Sequence, residues 1–216
     1  MKIAKKSISW ILSAFFAAVI FSVLFLIFLN NDFSFIFLFV SFVMFIKTIF
    51  FIVFFRDPER NIGKEITSCA DGKIREISEI VDKEHGKFTK VSTFMNIYNV
   101  HVNRAPIDGK VESISHFKGS HIPAFKKESE RNERVEILLK TKIGSIKIFL
   151  IAGTVARRIV PYIRSGDELI KGERIGIIRF GSRVDLYIPT EKIKSINVKV
   201  GDKIKAGETT IAKIND

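Results

Sequence analysis

Gly181-Ser182 is the pair in this sequence with the most covalent chemistry in reach. A glycine lets the backbone adopt conformations closed to other residues. The hydroxyl that follows can then attack the carbonyl before it and shift the peptide bond to an ester. An isolated Gly-Ser is nearly always an ordinary turn, so the pair needs support from its surroundings. No Gly-x-Ser-x-Gly elbow encloses Ser182, which disfavours a serine hydrolase. Cys69, the single cysteine, lies between Ser68 and Ala70 and reads as a small packed residue. It cannot form an internal disulfide and fits a reducing compartment. His85, His116 and His121 fall in charged or loop-like stretches and read as solvated. No metal-ligand spacing is present, and the expected metal content is none.

The elements that must position Ser182 are short and β-rich. The pair follows the apolar run Ile175-Gly176-Ile177-Ile178-Arg179-Phe180 and precedes the alternating run Val184-Asp185-Leu186-Tyr187-Ile188-Pro189, which places it at a strand junction. The other strand candidates are Val91 to Phe94, Asn99 to Val102, Val135 to Thr141 and Ser145 to Ala152, with no long amphipathic helix in residues 57 to 216. Two internal similarities organise them. Ala70-Asp71-Gly72-Lys73-Ile74 recurs 37 residues later as Ile107-Asp108-Gly109-Lys110-Val111, each with an Asp-Gly turn signal. Gly166-Asp167-Glu168-Leu169-Ile170-Lys171-Gly172-Glu173 recurs 35 residues later as Gly201-Asp202-Lys203-Ile204-Lys205-Ala206-Gly207-Glu208. The expected fold is mainly β, a compact sandwich or barrel-sandwich with internal repeats. It resembles the β-sandwiches that carry lipoyl or biotinyl groups.

The first 56 residues differ in kind. They hold 15 of the 21 phenylalanines and only Lys2, Lys5, Lys6, Asp32, Lys47 and Arg56 as charged groups. Ile8 to Leu29 is 22 residues without a charge, about what a helix needs to cross a hydrocarbon core of roughly 30 Å. A second apolar stretch, Phe33 to Phe55, is interrupted by Lys47 alone. The predicted element is a helical membrane hairpin, with a shallow re-entrant or interfacial hairpin as the alternative. A signal peptide fits poorly, because the apolar run is too long and another follows directly. Basic residues at both outer ends and an acid in the connection put those ends in the cytoplasm, at the cell (inner) membrane. Removing the hairpin's five basic groups and one acidic group from totals of 35 and 23 leaves 30 and 22 on residues 57 to 216. A surplus of eight next to two apolar stretches suits a phospholipid leaflet, and no nucleic-acid-binding motif is present.

Phe54-Phe55-Arg56-Asp57-Pro58-Glu59-Arg60, Ala70-Asp71-Gly72-Lys73-Ile74, Asn99-Val100-His101-Val102-Asn103-Arg104-Ala105-Pro106, Asn132-Glu133-Arg134 and Arg179-Phe180-Gly181-Ser182-Arg183-Val184-Asp185 occur in that order. Together they closely resemble the short, bacterial and archaeal type of phosphatidylserine decarboxylase proenzyme. The resemblance implies a zymogen that cuts itself between Gly181 and Ser182 into a β chain, 1–181, and an α chain, 182–216, held as a heterodimer. Elimination from the ester leaves dehydroalanine at position 182, which hydrolyses to a pyruvoyl group and ammonia. That group would take the serine headgroup's amine as a Schiff base and act as the electron sink for decarboxylation to phosphatidylethanolamine.

The resemblance further implies that Asp71 and His101 act with Ser182 in self-cleavage, the histidine as base and the carboxylate fixing its tautomer. Longer family members carry a second histidine where this chain has Arg104, which leaves His101 as the nearby imidazole. Arg56, Arg60, Arg104, Arg179 and Arg183 are candidates for holding phosphate or carboxylate, with solvated surface charge the commoner role. An archaetidylserine-type substrate stays open. The rival from another class is a membrane-tethered carrier or adaptor of lipoyl or biotinyl type. A carrier needs a hairpin-tip lysine, commonly flanked by methionines, and Met1, Met44 and Met95 flank none.

Overall fold

Uncharged stretches of this length satisfy their backbone groups internally as helices. In the computed structural model, which describes residues 2–82, 84–120, 122, 131–153, 158–179 and 182–215, they do so as α1 (Ile8–Ile27) and α2 (Ser34–Phe54). The chain divides into two units, Met1–Pro58 and Glu59–Asp216. In the first, the two helices are long and apolar enough to cross a membrane. Ile11, Ala14 and Ala18 of α1 are buried, as are Ser34, Ser41 and Thr48 of α2, which recur every seven residues. Small side chains at that period let two helices approach closely. Ser41 donates to the Ala18 carbonyl at 2.9 Å, so the 2.7 Å contact between Ser22 and Ser41 has Ser22 as donor. Two short strands, β1 (Lys2–Ile3) and β2 (Arg56–Asp57), pair antiparallel and bring the outer ends of the hairpin together.

The second unit is built from β3 (Ile66–Thr67), β4 (Gly72–Asp82), β5 (Gly86–Met95), β6 (Val102–Arg104), β7 (Gly109–Phe117), β8 (Arg134–Thr141) and β9 (Gly144–Ala152), then β10 (Ile159–Pro161), β11 (Glu168–Leu169), β12 (Arg174–Ile178), β13 (Ser182–Pro189), β14 (Ile193–Ile196), β15 (Lys203–Ile204) and β16 (Thr210–Ile214). An eight-stranded sheet runs β11-β7-β8-β9-β13-β5-β4-β15, beside two three-stranded sheets, β10-β12-β6 and β14-β16-β3. The mainly β expectation holds. Side chains alternate across a strand, and in β13 Val184, Leu186 and Ile188 enter the core while Arg183, Asp185 and Tyr187 take the other face. Ser182 has the parity of the core side. Antiparallel register sets it between Ala152 of β9 and Met95 of β5, in one row across three strands.

The internal similarities are structural. β15 pairs with β4 through Lys203↔Lys73 and Ile204↔Gly72, and β11 pairs with β7 through Glu168↔Lys110 and Leu169↔Gly109. Backbone bonds repeat the correspondence. Gly201 N donates to Ile74 O as Gly166 N donates to Val111 O, both at 2.9 Å or less. Gly72 and Gly109 are required for the same reason: a Cβ at either would run into the carbonyl of the neighbouring strand, Phe94 or Lys140.

Candidate active site

Ser182 opens a central strand and is fully buried. Among the described residues its hydroxyl has one hydrogen bond, a 3.2 Å donation to Met95 Sδ. A thioether is a weak acceptor, so the hydroxyl is ordered without being strongly engaged. Asn103 Nδ2 donates to the same sulfur at 3.7 Å. Asn103 is fully buried and its Oδ1 has no hydrogen-bond partner among the described residues. Whichever way the amide is turned, one end is left unsatisfied beside the serine's partner, a costly arrangement in a purely structural core.

The junction forecast for this region is real. β12 ends at Ile178 in one sheet and β13 begins at Ser182 in another. Phe180 and Gly181 lie outside the described residues, as does His121. β6 and β12 are antiparallel, with Asn103 opposite Gly176, and Ile178 N donates to His101 O at 3.4 Å. His101 and Asn103, two residues apart, share one side of this segment. The imidazole is fully buried, with Nδ1 2.9 Å from the carbonyl of Asn99. A carbonyl only accepts, so Nδ1 carries a proton, and in a neutral ring the lone pair then lies on Nε2. That is the tautomer a base requires, and the backbone fixes it.

Asp71 is placed differently from the expectation. Its Oδ1 and Oδ2 accept from Arg60 Nη2 at 3.0 and 2.8 Å, and Oδ1 also accepts from Ala206 N at 2.8 Å. Its hydrogen bonds therefore go to Arg60 and Ala206, not to His101. The duplicate separates what is general from what is particular. Asp108 Oδ1 accepts from Lys171 N at 2.6 Å, the equivalent backbone bond, but is exposed. The buried ion pair with Arg60 belongs to Asp71, and Arg60 also reaches Glu208 at 3.3 Å.

Three of the five candidate arginines, Arg104, Arg179 and Arg183, are buried. Arg104 Nη1 donates to Gly172 O at 2.8 Å. Arg183 forks onto Asp185 at 2.7 and 2.6 Å, on the face of β13 opposite Ser182. Burial lowers the pKa of Arg179, opposed by Tyr162 and reinforced by Arg158. Met95 carried no sequence signal, and Asn103 stood unremarked inside a quoted motif. Asn132 is the third such residue. Fully buried, it donates to the carbonyls of Ala152 at 2.7 Å and Ile122 at 2.6 Å and accepts from Ile122 N at 2.8 Å, fastening a loop to the strand end beside Ser182.

The β domain thus holds a buried serine at a sheet junction, a buried histidine hydrogen-bonded to the Asn99 carbonyl and a buried amide with an unsatisfied end. The family model for phosphatidylserine decarboxylase matches residues 48–212. A relative from Methanosarcina barkeri named putative archaetidylserine decarboxylase proenzyme is 41% identical over 215 residues, 98% of each chain. One of the same name from Methanococcoides burtonii is 51% identical over 169 residues, 77% of this chain and 76% of its own. A phosphatidylserine decarboxylase proenzyme from Streptomyces coelicolor is 51% identical over 159 residues, 73% of this chain and 70% of its own. The chain belongs to the phosphatidylserine decarboxylase family and is an enzyme of that family.

Proposed function

We propose that this protein is a membrane-anchored proenzyme, with its β domain in the cytoplasm, that cuts itself before Ser182 and then decarboxylates phosphatidylserine to phosphatidylethanolamine and carbon dioxide. The observation that carries the reading is the Ser182 hydroxyl: buried at the first residue of a central strand and hydrogen-bonded only to a thioether among the described residues. In the cutting step the hydroxyl loses its proton to a base and adds to the Gly181 carbonyl. The C–N bond then breaks and the amine of residue 182 takes up a proton, leaving an ester. Loss of the Cα proton expels the Gly181 carboxylate and gives dehydroalanine. Water adds, ammonia leaves, and a pyruvoyl group remains at the head of the α chain, 182–216.

The residues present fit that group. Asn103 offers an unsatisfied amide end beside the position, and Met95 and Ala152 flank it with surfaces that keep bulk water out. At position 182 the group supplies a ketone for the headgroup amine and an electron sink for the departing carboxylate. His101 Nε2 is the base for cutting and holds the proton that later replaces carbon dioxide. Asp71 is a positioning residue, holding Arg60 and the Ala206 backbone. The relative that aligns over nearly the whole chain carries an archaetidylserine name, so the reading commits to the serine headgroup and leaves the hydrocarbon part of the lipid unassigned.

Intact-mass analysis of the purified chain tests this. Two fragments divided after residue 181, the smaller beginning with a pyruvoyl mass, are expected from the wild type and one uncut 24.6 kDa chain from Ser182→Ala. Carbon dioxide release from phosphatidylserine by Ser182→Ala would overturn the proposal.

A further inference from the structure

With Arg104 and Arg183 hydrogen-bonded inside the protein, Arg179 buried, Arg60 paired with Asp71 and Arg56 bonded to the Val53 carbonyl, the lipid phosphate needs another partner, and the internal duplication supplies a way to look for it. A cleft of about 580 Å³ is lined by Asp71, Lys73, Arg75, Asn96, Tyr98, Asn99, Lys203 and Lys205, among others. Two of its lining residues connect to the candidate site. Asn96 follows Met95, the Ser182 partner, and the Asn99 carbonyl fixes the His101 proton. The acid in its wall, Asp71, is already neutralised by Arg60.

The corresponding place in the other repeat is a built-in control. Lys73, Arg75, Lys203 and Lys205 correspond to Lys110, Glu112, Glu168 and Ile170. Four cations here give +4, whereas one cation and two acids there give −1. The backbones match down to an irregularity: β4 shifts register between Ile74 and Glu76, and β7 between Val111 and Ser113. Lys110 faces Glu168 across its strand pair, a favourable combination, but Lys73 faces Lys203. Like charges directly opposite one another are destabilising. Both lysines are exposed and neither forms an ion pair with a described residue; Lys205 makes an exposed 3.5 Å contact with Glu208. The fold tolerates a neutral Lys–Glu pair at this position, and the Lys73–Lys203 copy departs from it toward positive charge.

We infer that the Lys73–Lys203 cleft binds the phosphodiester of the phospholipid whose headgroup is decarboxylated. The inference rests on the proposed function for its substrate. Lys73 and Lys203 close on the phosphate oxygens from two strands, and Arg75 and Lys205 widen the positive field at the rim. Tyr98, 76% exposed beside them, has the amphipathic character suited to a lipid interface.

Lys203→Glu recreates the pairing of Glu168 with Lys110 and is therefore expected to fold. Two assays on the full chain decide the matter. In the first, monomeric short-chain phosphatidylserine is titrated into uncut Ser182→Ala protein and followed by its phosphorus resonance. Adding Lys203→Glu should weaken binding about tenfold, as expected for loss of a charge-assisted phosphate contact. In the second, carbon dioxide release is measured in uncharged-detergent micelles with phosphatidylserine as the sole anionic lipid. Lys203→Glu should raise KM about tenfold with kcat and chain division preserved, the pattern of lost uniform binding. Glu168→Lys, which turns the corresponding four residues of the other repeat from −1 to +1, should leave KM unchanged. Unaltered binding and KM in Lys203→Glu would overturn the inference while leaving the decarboxylase reading intact. A KM effect that emerges only when phosphatidylglycerol is added would overturn it too, because the cleft would then be reading leaflet charge. Binding that responds to Lys203→Glu in a wild-type chain that releases no carbon dioxide would sustain the cleft and sink the decarboxylase reading.

Discussion

Asp71→Asn and Asp108→Asn make the same chemical change at equivalent points of the duplicated unit, and they should differ sharply in cost. Asparagine keeps an oxygen to accept from Ala206 N or Lys171 N, so the shared backbone bond survives in both. At position 71 the change also strips the charge opposing Arg60, in a pair whose side chains are only 10% and 6% exposed. Removing one partner of a buried ion pair costs about 3–5 kcal/mol. Glu208 stays 3.3 Å from Arg60 and recovers part of this, which leaves about 2–3 kcal/mol. For a chain of this size that is a melting temperature lower by roughly 5–10 °C. Asp108 is exposed and should change stability by less than about 0.5 kcal/mol. The melts belong in the Ser182→Ala background, where the chain stays whole, followed by detergent-phase circular dichroism. The rate of chain division is then measured with Ser182 restored. Equal melting temperatures would refute the ion-pair argument. A normal melt with division abolished at Asp71→Asn would refute the positioning role and give the carboxylate a direct part in cutting.

Two further outcomes follow from buried groups. Burial alone pushes the Cys69 thiol far above its usual range, so a thiol reagent at about pH 8 should leave the folded chain unlabelled and modify it only after denaturation; rapid labelling of native protein would contradict the packing. Lys147 beside Asp82, 2.6 Å away, is the main cause holding that carboxyl below its usual range, aided by the Glu84 and His85 backbone amides. A depressed carboxylate contributes stability above its unfolded pKa and loses it as pH falls through the folded value. The stability gap between wild type and Lys147→Met should therefore be widest near neutrality and narrow on acidification below about pH 4. A gap unchanged down to about pH 2 would show that Lys147 acts through packing instead.

Strands that alternate cleanly were legible in the sequence. β8, β9 and β13 each keep period two, with Val135, Ile137 and Leu139 or Val184, Leu186 and Ile188 entering the core. β4 and β7 were hidden by their bulges. The register shift after Ile74 puts the next core residue at Ile77, and the shift after Val111 puts the next at Ile114, a spacing of three that masks a strand. The strand expected over Asn99 to Val102 begins instead at Val102, because Asn96 and Asn99 close a turn through Asn99 Oδ1 and the Asn99 amide. At the site, the strand junction at Ser182 could be read locally. The partners could not. Met95 lies 87 residues away and reaches Ser182 only through register, and Arg60 became the partner of Asp71 through a contact that the nearly identical Asp108 lacks.

The position of β13 has a consequence for the life history of the molecule. It runs between β9 and β5, while β15 and β16, further along the same segment, pair with β4 and β3. The proposed division before Ser182 would leave a short polypeptide woven through two sheets, held by non-covalent bonds alone. The uncut chain folds with that segment tethered. A divided one, once unravelled, would have to find its partner by diffusion and reinsert a strand between β9 and β5, in the interior of the eight-stranded sheet. Under that reading maturation would make assembly a one-way event, and the working lifetime of the enzyme would be a question of how slowly it opens rather than of how favourably it closes.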